Sequence, residues 1–255
     1  MIYRLTENTK EVFGEMLTQI ELTEDCKYGQ MGALGGYIRS ISNLRDNAWV
    51  SEDAVVRGDA VVCEDAWLYG NARISGNARI SGSARIFGYA CIYGYAQVSG
   101  NAKVLDNASV YNNALVYSYA RVCNNAEVSD NAKIYDNAII SGNAQVYDNA
   151  EVYGDAAIYA SATVKKNAKV SGTASIHGRS KISGTFDTSP LQIQGTRHFF
   201  NISKENEIII GCNRESIDYW IENYKDLGKK AGYTDSQIKE YKSYIDLAKS
   251  LSNID

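Results

Sequence analysis

Residues 71–82 read NARISGNARISG, two copies of a six-residue unit, and this unit decides the fold of the chain. From residue 47 to residue 184 the pattern runs through 23 consecutive units without an insertion. The second position of each unit is alanine, apart from Ser180, and the fourth is always Val, Ile or Leu. A short unbroken period of this kind predicts a solenoid in which each unit supplies one strand.

The alternation of side chains along a strand explains the unit. Positions two and four point to the same side, and a small group beside a branched one fills a narrow interior without voids. Positions three and five point outward, while positions six and one form corners rich in Gly, Asn and Asp, which tolerate positive φ. An α-helix is excluded because a period of six scatters the aliphatic residues around its axis. Since three units close one coil, we expect a three-sided parallel β-helix of roughly seven to eight coils, about 35 Å long.

The segments on either side lack the period. Residues 1–34 predict an N-terminal β cap, with short strands at 3–5 and 18–23, because an uncapped first coil would expose apolar side chains and strand edges. Ile38 and Leu44 continue the aliphatic column backward. The β-helix is therefore predicted over residues 35–186.

Residues 187–255 predict a small α+β module. A β-hairpin is expected within residues 191–211, followed by two helices whose apolar residues recur at helical spacing. Thr234 and Gln237 match a capping box at the start of the second helix. Pro190, the single proline of the chain, is expected to end the ladder of strands.

Several flanking motifs carry a resemblance to a known group. The motifs are YRL at residues 3–5, GGYI at 35–38, SPLQIQG at 189–195 and WIENY at 220–224, together with units close to the form Tyr-Gly-Asn-Ala-x-Val, such as YGNARI at 69–74. In these the chain resembles uncharacterised bacterial and phage-borne hexapeptide-repeat proteins, some of which are labelled acyltransferases. The resemblance implies a left-handed β-helix, against the general right-handed rule for parallel crossovers, and a C-terminal module of phage type.

Composition limits the function classes. The chain has 26 basic and 30 acidic residues, so no basic excess favours nucleic acid as a partner. The start of the chain does not resemble a signal peptide, and no apolar run reaches membrane length. We therefore expect a cytoplasmic protein, in the host cytoplasm if phage-encoded, without a membrane partner. Five widely spaced cysteines show no metal-ligand spacing, so free thiols, no metal and no cofactor are expected.

Outward residues that stack every 18 positions define three walls. The cationic face carries Arg85, Lys103 and Arg121 in successive coils, the tyrosine face carries Tyr117, Tyr135 and Tyr153, and the polar face is mostly hydrophilic but includes Tyr93 and Tyr111. Aromatic and basic residues are enriched at interfaces. The ligand or partner site is predicted at Arg85, Lys103, Arg121, Trp67, Tyr69 and Phe87.

Each of these features also has a purely structural interpretation. Like residues stacked on neighbouring strands contribute to cohesion, which accounts for a tyrosine ladder without any ligand. Trp49 and Trp67 are candidates for cover by the N-terminal cap. The three cations either meet an anion, an acidic partner or a facing subunit, or splay apart into solvent.

The preferred hypothesis is a non-catalytic binding or scaffold protein. It would be a homo-oligomer, with a trimer favoured through the aromatic residues of the cationic face, and its C-terminal module would project toward a partner. The phage resemblance suggests an inhibitor or sequestering protein that acts on a host protein or a small anionic ligand. One alternative is a divergent hexapeptide-repeat acyltransferase with His177 as general base beside Ser175 and Tyr159. Another is a structural component of a particle.

Overall fold

Parallel pairing every 18 residues builds the main body of the protein. A computed structural model describes residues 2–183, 191–204 and 206–251. Arg85 pairs with Trp67 on one side and with Lys103 on the other, so three units make one coil. The fold class is confirmed: the chain is a parallel β-solenoid of about eight coils with a small C-terminal helix and strand module. Its left-handed sense stays a prediction.

The three walls predicted from the repeat are three separate sheets. The cationic face has eight strands: Trp49–Val50, Trp67–Leu68, Arg85–Ile86, Lys103–Val104, Arg121–Val122, Ile139–Ile140, Ala157–Ile158 and Ser175–Ile176. The tyrosine face has seven: Val61–Val62, Arg79–Ile80, Gln97–Val98, Leu115–Val116, Lys133–Ile134, Glu151–Val152 and Lys169–Val170. The polar face contains Leu34–Ile38, Val55–Val56, Arg73–Ile74, Cys91–Ile92, Ser109–Val110, Glu127–Val128, Gln145–Val146, Thr163–Lys165 and Lys181–Ser183.

The interior is filled by the residues that the repeat predicts. From Ala48 to Ala168 every second-position alanine is at most 1% exposed, and every fourth-position aliphatic residue from Val50 to Ile182 is fully buried. Ala174, near the C-terminal end of the solenoid, is the half-buried exception. The methyl columns and the branched columns thus form one continuous core along the axis, because each side chain packs on its equivalent in the next coil.

At each corner the sixth residue of the unit adopts a left-handed backbone conformation, which is strained for residues other than glycine. All 23 sixth-position residues from Asp46 to Gly178 have positive φ, between 55° and 73°. Eleven are glycine, but Ala160 and Lys166 adopt the same conformation. At several corners a carboxylate accepts a hydrogen bond from the backbone N–H of the corner in the next coil, as Asp106 does from Asn124 at 3.0 Å. These hydrogen bonds stabilise corners that carry an acidic residue, and glycine cannot form them because it has no side chain.

An antiparallel hairpin covers the first coil. Its strands, Tyr3–Val12 and Glu15–Leu22, are longer than the short strands expected from the sequence. The second strand pairs with Leu34–Ile38, which in turn pairs in parallel with Val55–Val56, so the cap extends the sheet of the polar face. Ile38 and Leu44 are buried in the inner column, as their phase predicts, and a 3-10 turn over Ile41–Asn43 lies between them.

Gly35 and Gly36 are needed for this junction. A Cβ on Gly35 would lie 2.8 Å from the Trp49 ring, and one on Gly36 would lie 2.4 Å from the carbonyl oxygen of Ala54. The glycine pair therefore allows the cap strand to approach the first coil closely, as glycine does wherever two backbones must come together.

The C-terminal module combines a four-stranded antiparallel sheet with two helices. The strands are Gln192–Gln194, Phe199–Lys204, Glu207–Ile210 and Asn213–Ser216, and the helices are α1, Ile217–Lys230, and α2, Asp235–Leu251. Its own core includes Phe200, Ile208, Trp220, Tyr241 and Ile245.

The structure of the module agrees with the prediction from the sequence except for its last strand. The predicted hairpin and the two helices are present, and so is the capping box, in which Thr234 and Gln237 exchange side-chain to backbone hydrogen bonds. The strand Asn213–Ser216 was missed because its residues are polar and mostly exposed. Pro190 and the predicted boundary between residues 186 and 187 lie outside the described residues.

Candidate anion-binding surface

Three cations form a continuous column on the cationic face. Arg85, Lys103 and Arg121 occupy the third position of consecutive strands and are direct Cα partners across the parallel ladder. Neighbouring strands lie about 4.8 Å apart, so the three side chains leave the wall side by side. Arg85 and Arg121 are exposed and Lys103 is half-buried. The sequence-predicted cations are therefore together in space.

The cations of this column are not ion-paired with any described residue, although Asp106 lies at the corner that follows Lys103. Within the described part of the chain, none of the three cations has a carboxylate oxygen within 4.0 Å. The corner beside the column presents Ser83, Asn101 and Tyr119, which together with the cations line a shallow groove of about 390 Å³. On the tyrosine face, by contrast, Lys133 is paired with Glu151 of the next coil at 3.2 Å. Among the described residues, no ion pair thus neutralises the cationic column, whereas Glu151 neutralises Lys133 on the tyrosine face.

The aromatic residues predicted for this site form a connected cluster toward the N-terminal end. Tyr69 stacks on Phe87 with ring centroids 4.7 Å apart, and Trp67 lies 5.0 Å from Tyr69. Burial raises the pKa of the Tyr69 hydroxyl, and the charge of Arg85 opposes that rise. Tyr69 and Phe87 are half-buried and form an apolar column beside the cations.

Trp67 has a second role under the N-terminal cap. Tyr28 packs edge-on against Trp67 at 5.6 Å and stacks on Trp49 at 6.1 Å. Trp49 is only 2% exposed, and the indole N–H of Trp67 donates to Ser51 Oγ at 2.9 Å. The cap therefore covers much of the tryptophan pair, as the structural interpretation expected, and Trp67 borders the candidate surface instead of forming its centre.

The tyrosine ladder is packed ring on ring. Tyr117, Tyr135 and Tyr153 stack at 5.0 and 4.9 Å with interplanar angles of 5° and 1°. Burial in this stack raises the pKa of Tyr135 to about 12, with Glu151 contributing in the same direction. Tyr93 and Tyr111 stack in the same way on the polar face. These contacts account for both ladders as cohesion between neighbouring coils.

His177 is enclosed between two aromatic rings. Its imidazole stacks on Tyr159 at 5.0 Å and meets Phe199 of the C-terminal module edge-on at 3.9 Å. Burial lowers the pKa of His177. The hydroxyl of Ser175 donates to Tyr159 Oη at 3.1 Å. His177 thus takes part in the contact between the last coil and the module.

Residues at position five of the unit are less exposed than expected for side chains that point outward. Cys63 occupies this position and is 3% exposed, and Ser129 is also buried. Most fifth-position residues are half-buried, because they lie at the end of the strand beside the corner. Burial raises the pKa of the Cys63, Cys91 and Cys123 thiols. All five cysteines are free.

A second group of cations was not predicted from the sequence. Lys165, Arg179 and Lys181 of the last coils meet Arg197 and Arg214 of the C-terminal module around one cleft. Only Lys165 and Lys181 belong to one wall of the repeat, so stacking by 18 residues does not reveal the group. The sequence signal at this place is Ser180, the single departure from alanine at position two.

Two chemical features are absent from the described residues. No group of three or more His, Cys, Asp or Glu side chains could hold a metal ion in the ranges given above. Neither α1 nor α2 is long and apolar enough to cross a membrane.

The coil geometry and the repeat define a class, the parallel β-solenoids built from hexapeptide units. A family model supports it: residues 66–82, 72–88 and 132–148 match the YdcK beta solenoid repeat. The match and the fold place the chain among repeat β-helix proteins. No curated protein matches the chain.

Proposed function

We propose that this protein is a non-catalytic binding protein that holds an acidic partner on its cationic face. The observation that carries the proposal is the column formed by Arg85, Lys103 and Arg121, three like charges on consecutive strands. None of the three cations forms an ion pair with a described residue, so this charge is available to an external anion.

Electrostatics indicates why such a column favours a partner. Two unit charges about 5 Å apart in water repel by roughly 0.8 kcal/mol, and like charges directly opposite each other destabilise a sheet. Salt screening and splaying of the long side chains reduce the repulsion. An acidic partner would offset the remaining repulsion and attract each cation. Binding such a partner is therefore more favourable for the column than for an isolated cation.

The shape of the surface favours a macromolecular partner over a small molecule. The three cations stand in a row along the outer wall of a β-sheet, whereas small-molecule sites are concave and bury most of the ligand. The half-buried Tyr69 and Phe87 add aromatic area next to the cations, a combination enriched at protein interfaces. The resemblance to phage-borne proteins supports a host protein as this partner, which the solenoid would sequester or inhibit.

A second copy of the chain is the other partner that this surface fits. A homotrimer through the cationic face would use the same aromatic column, although Tyr28 already covers part of Trp49 and Trp67. Sedimentation velocity of the wild type separates the two cases, because only self-association through this face gives a particle of three times the mass of one chain. The acyltransferase alternative has less support, since aromatic rings flank the imidazole of His177 and Ser175 donates to Tyr159.

The test neutralises the column and compares it with a matched change on another wall. The test variant is Arg85→Gln, Lys103→Gln and Arg121→Gln together. The control variant is Arg45→Gln, Arg79→Gln and Lys169→Gln together. Its residues are exposed cations with outward side chains on the tyrosine face. Both variants change the net charge by the same amount.

Binding is measured with a fluorescein-labelled oligoglutamate peptide by anisotropy, at low and at physiological ionic strength. We expect the test variant to bind at least about tenfold more weakly, because three charge contacts of roughly 0.5 kcal/mol each amount to that factor. The control should stay within about twofold of the wild type. Equal weakening in both variants, or no binding by the wild type, would exclude the cationic face as the site.

A further inference from the structure

A cleft of about 850 Å³ lies where the last coils of the solenoid meet the C-terminal module. Its walls carry five cationic side chains, those of Lys165, Arg179, Lys181, Arg197 and Arg214. In the described part of the chain no Asp or Glu lines the cleft, although the protein as a whole has a formal net charge of −4. The lining of the cleft is therefore positively charged, although the net charge of the protein is negative.

The fold brings these cations together from two independent units. Thr163–Lys165 and Lys181–Ser183 are the last two strands of the polar face, and Arg179 lies at the corner that precedes the second of them. Arg197 belongs to the turn before the strand Phe199–Lys204. Arg214 reaches across the junction, where its Nη2 lies 3.5 Å from the carbonyl oxygen of Lys181.

The base of the cleft is fixed by a polar contact that the repeat does not have elsewhere. The hydroxyl of Ser180 donates to the carbonyl oxygen of His177 at 2.7 Å and lies 3.3 Å from Asn201 Oδ1. Gln192 Nε2 donates to the same hydroxyl at 3.4 Å. Ser180 and Asn201 are both buried and line the cleft. An alanine at position 180 would lack this link between coil and module.

Some of the cations are held in place and others are available. Arg197 donates to the carbonyl oxygen of Gly232 and lies over the ring of Tyr233, at 4.9 Å from its centroid. Arg214 is partly neutralised by Glu207, which lies 3.5 Å away. Arg179 and Lys181 are exposed, and neither side chain forms an ion pair with a described residue.

We infer that this cleft binds a small, multiply charged anion of the phosphate class. Five converging cations exceed what a single carboxylate would neutralise, and the cleft volume is in the range of small-molecule sites. The exposed guanidinium group of Arg179 presents a planar fork that matches phosphate oxygens in paired hydrogen bonds, while Arg197 and Arg214 add positive charge from positions fixed by their own contacts. The rigid junction at Ser180 holds the two cationic walls in position before the ligand arrives, which reduces the ordering cost of binding.

Isothermal titration calorimetry with inorganic pyrophosphate tests the inference on the full chain. The test variant is Arg179→Gln with Lys181→Gln, two exposed side chains at the rim, so the fold should be retained, as checked by circular dichroism and melting temperature. The control is the Gln triple at Arg85, Lys103 and Arg121. A parallel titration with ADP distinguishes a free phosphate from a nucleoside diphosphate as the source of the same chemistry.

The wild type is expected to bind one pyrophosphate per chain. The rim variant should bind at least about tenfold more weakly, the effect of removing two charged donors, while the control triple stays within about twofold. Tighter binding of ADP would identify a nucleotide ligand, and equal binding an inorganic one. The inference is overturned if the wild type binds neither anion, or if both variants lose affinity equally. The rim variant should keep its affinity for oligoglutamate, so failure here is distinct from failure of the proposed function.

Discussion

Replacing Ala108 with valine tests the packing of the solenoid interior. Ala108 is fully buried in a middle coil. Its carbonyl oxygen accepts a hydrogen bond from the backbone N–H of Cys91 at 2.9 Å, and the next residue, Ser109, donates to Ala126 at 2.9 Å. The backbone is therefore tied to the coils on both sides and cannot retreat. Two extra methyl groups must displace inward neighbours, and overpacking of this kind costs about 1–3 kcal/mol, so we expect the free energy of unfolding to fall by about 2 kcal/mol.

The adjacent residue provides the control. Ser109 directly follows Ala108 and begins the strand Ser109–Val110, but it points outward and pairs with Cys91 and Glu127 on the polar face. It is half-buried, and valine is favoured on a pleated, half-buried surface. Ser109→Val should therefore change the free energy of unfolding by less than about 0.5 kcal/mol.

Urea unfolding followed by circular dichroism measures both variants, together with native-state hydrogen exchange of individual coils. The second measurement is needed because repeat arrays can lose two-state behaviour, and a local defect would then open the middle coils alone. Equal effects of the two substitutions, or a neutral Ala108→Val, would refute the assignment of position two to the interior.

Two titrations give the remaining predictions. The pKa of Tyr135, raised to about 12 by burial, means that the folded protein holds a proton that the unfolded chain releases near pH 10. The stability from this group is complete below pH 10 and is lost as pH rises toward 12. Urea unfolding across that interval should show a smaller decline for Tyr135→Phe, and an unchanged slope would contradict the shift. For His177, whose pKa burial lowers, the NMR titration midpoint should lie below the usual value of about 6.5. Phe199→Ala should move that midpoint upward by exposing the ring, and a midpoint that stays in place would show that Phe199 does not desolvate it.

The core could be predicted from the sequence because every coil repeats the same packing problem. Ala84 and Ile86 meet residues of their own kind 18 positions away, at Ala102 and Val104. A local pattern therefore determines the long-range contacts, which is seldom true of a globular fold. The same reasoning predicted the column of Arg85 and its neighbours, since outward residues stack by the same rule.

The caps could not be predicted at this level, because their contacts join segments without a common period. Tyr28 comes from the irregular segment before the solenoid, yet it packs on Trp49 and Trp67 of two successive coils. Nothing in the spacing of Tyr28 indicates this contact. The polar strand Asn213–Ser216 was missed for a related reason, since its pairing with Glu207–Ile210 depends on the sheet and not on its own side chains.

The two cationic surfaces differ in the same respect, and this decides how each should respond to mutation. The column on the cationic face is a property of the repeat, so the loss of one member leaves the geometry of the other two intact and binding should fall in steps. The cleft is a property of the junction, since Arg197 and Arg214 approach the last coil only while the module is docked through contacts that include Ser180 with Asn201, Arg214 with Lys181, and Phe199 with His177. Undocking the module would remove two cationic side chains from the cleft at once. Anion binding there should therefore depend on the docking of the module as strongly as on any single charge.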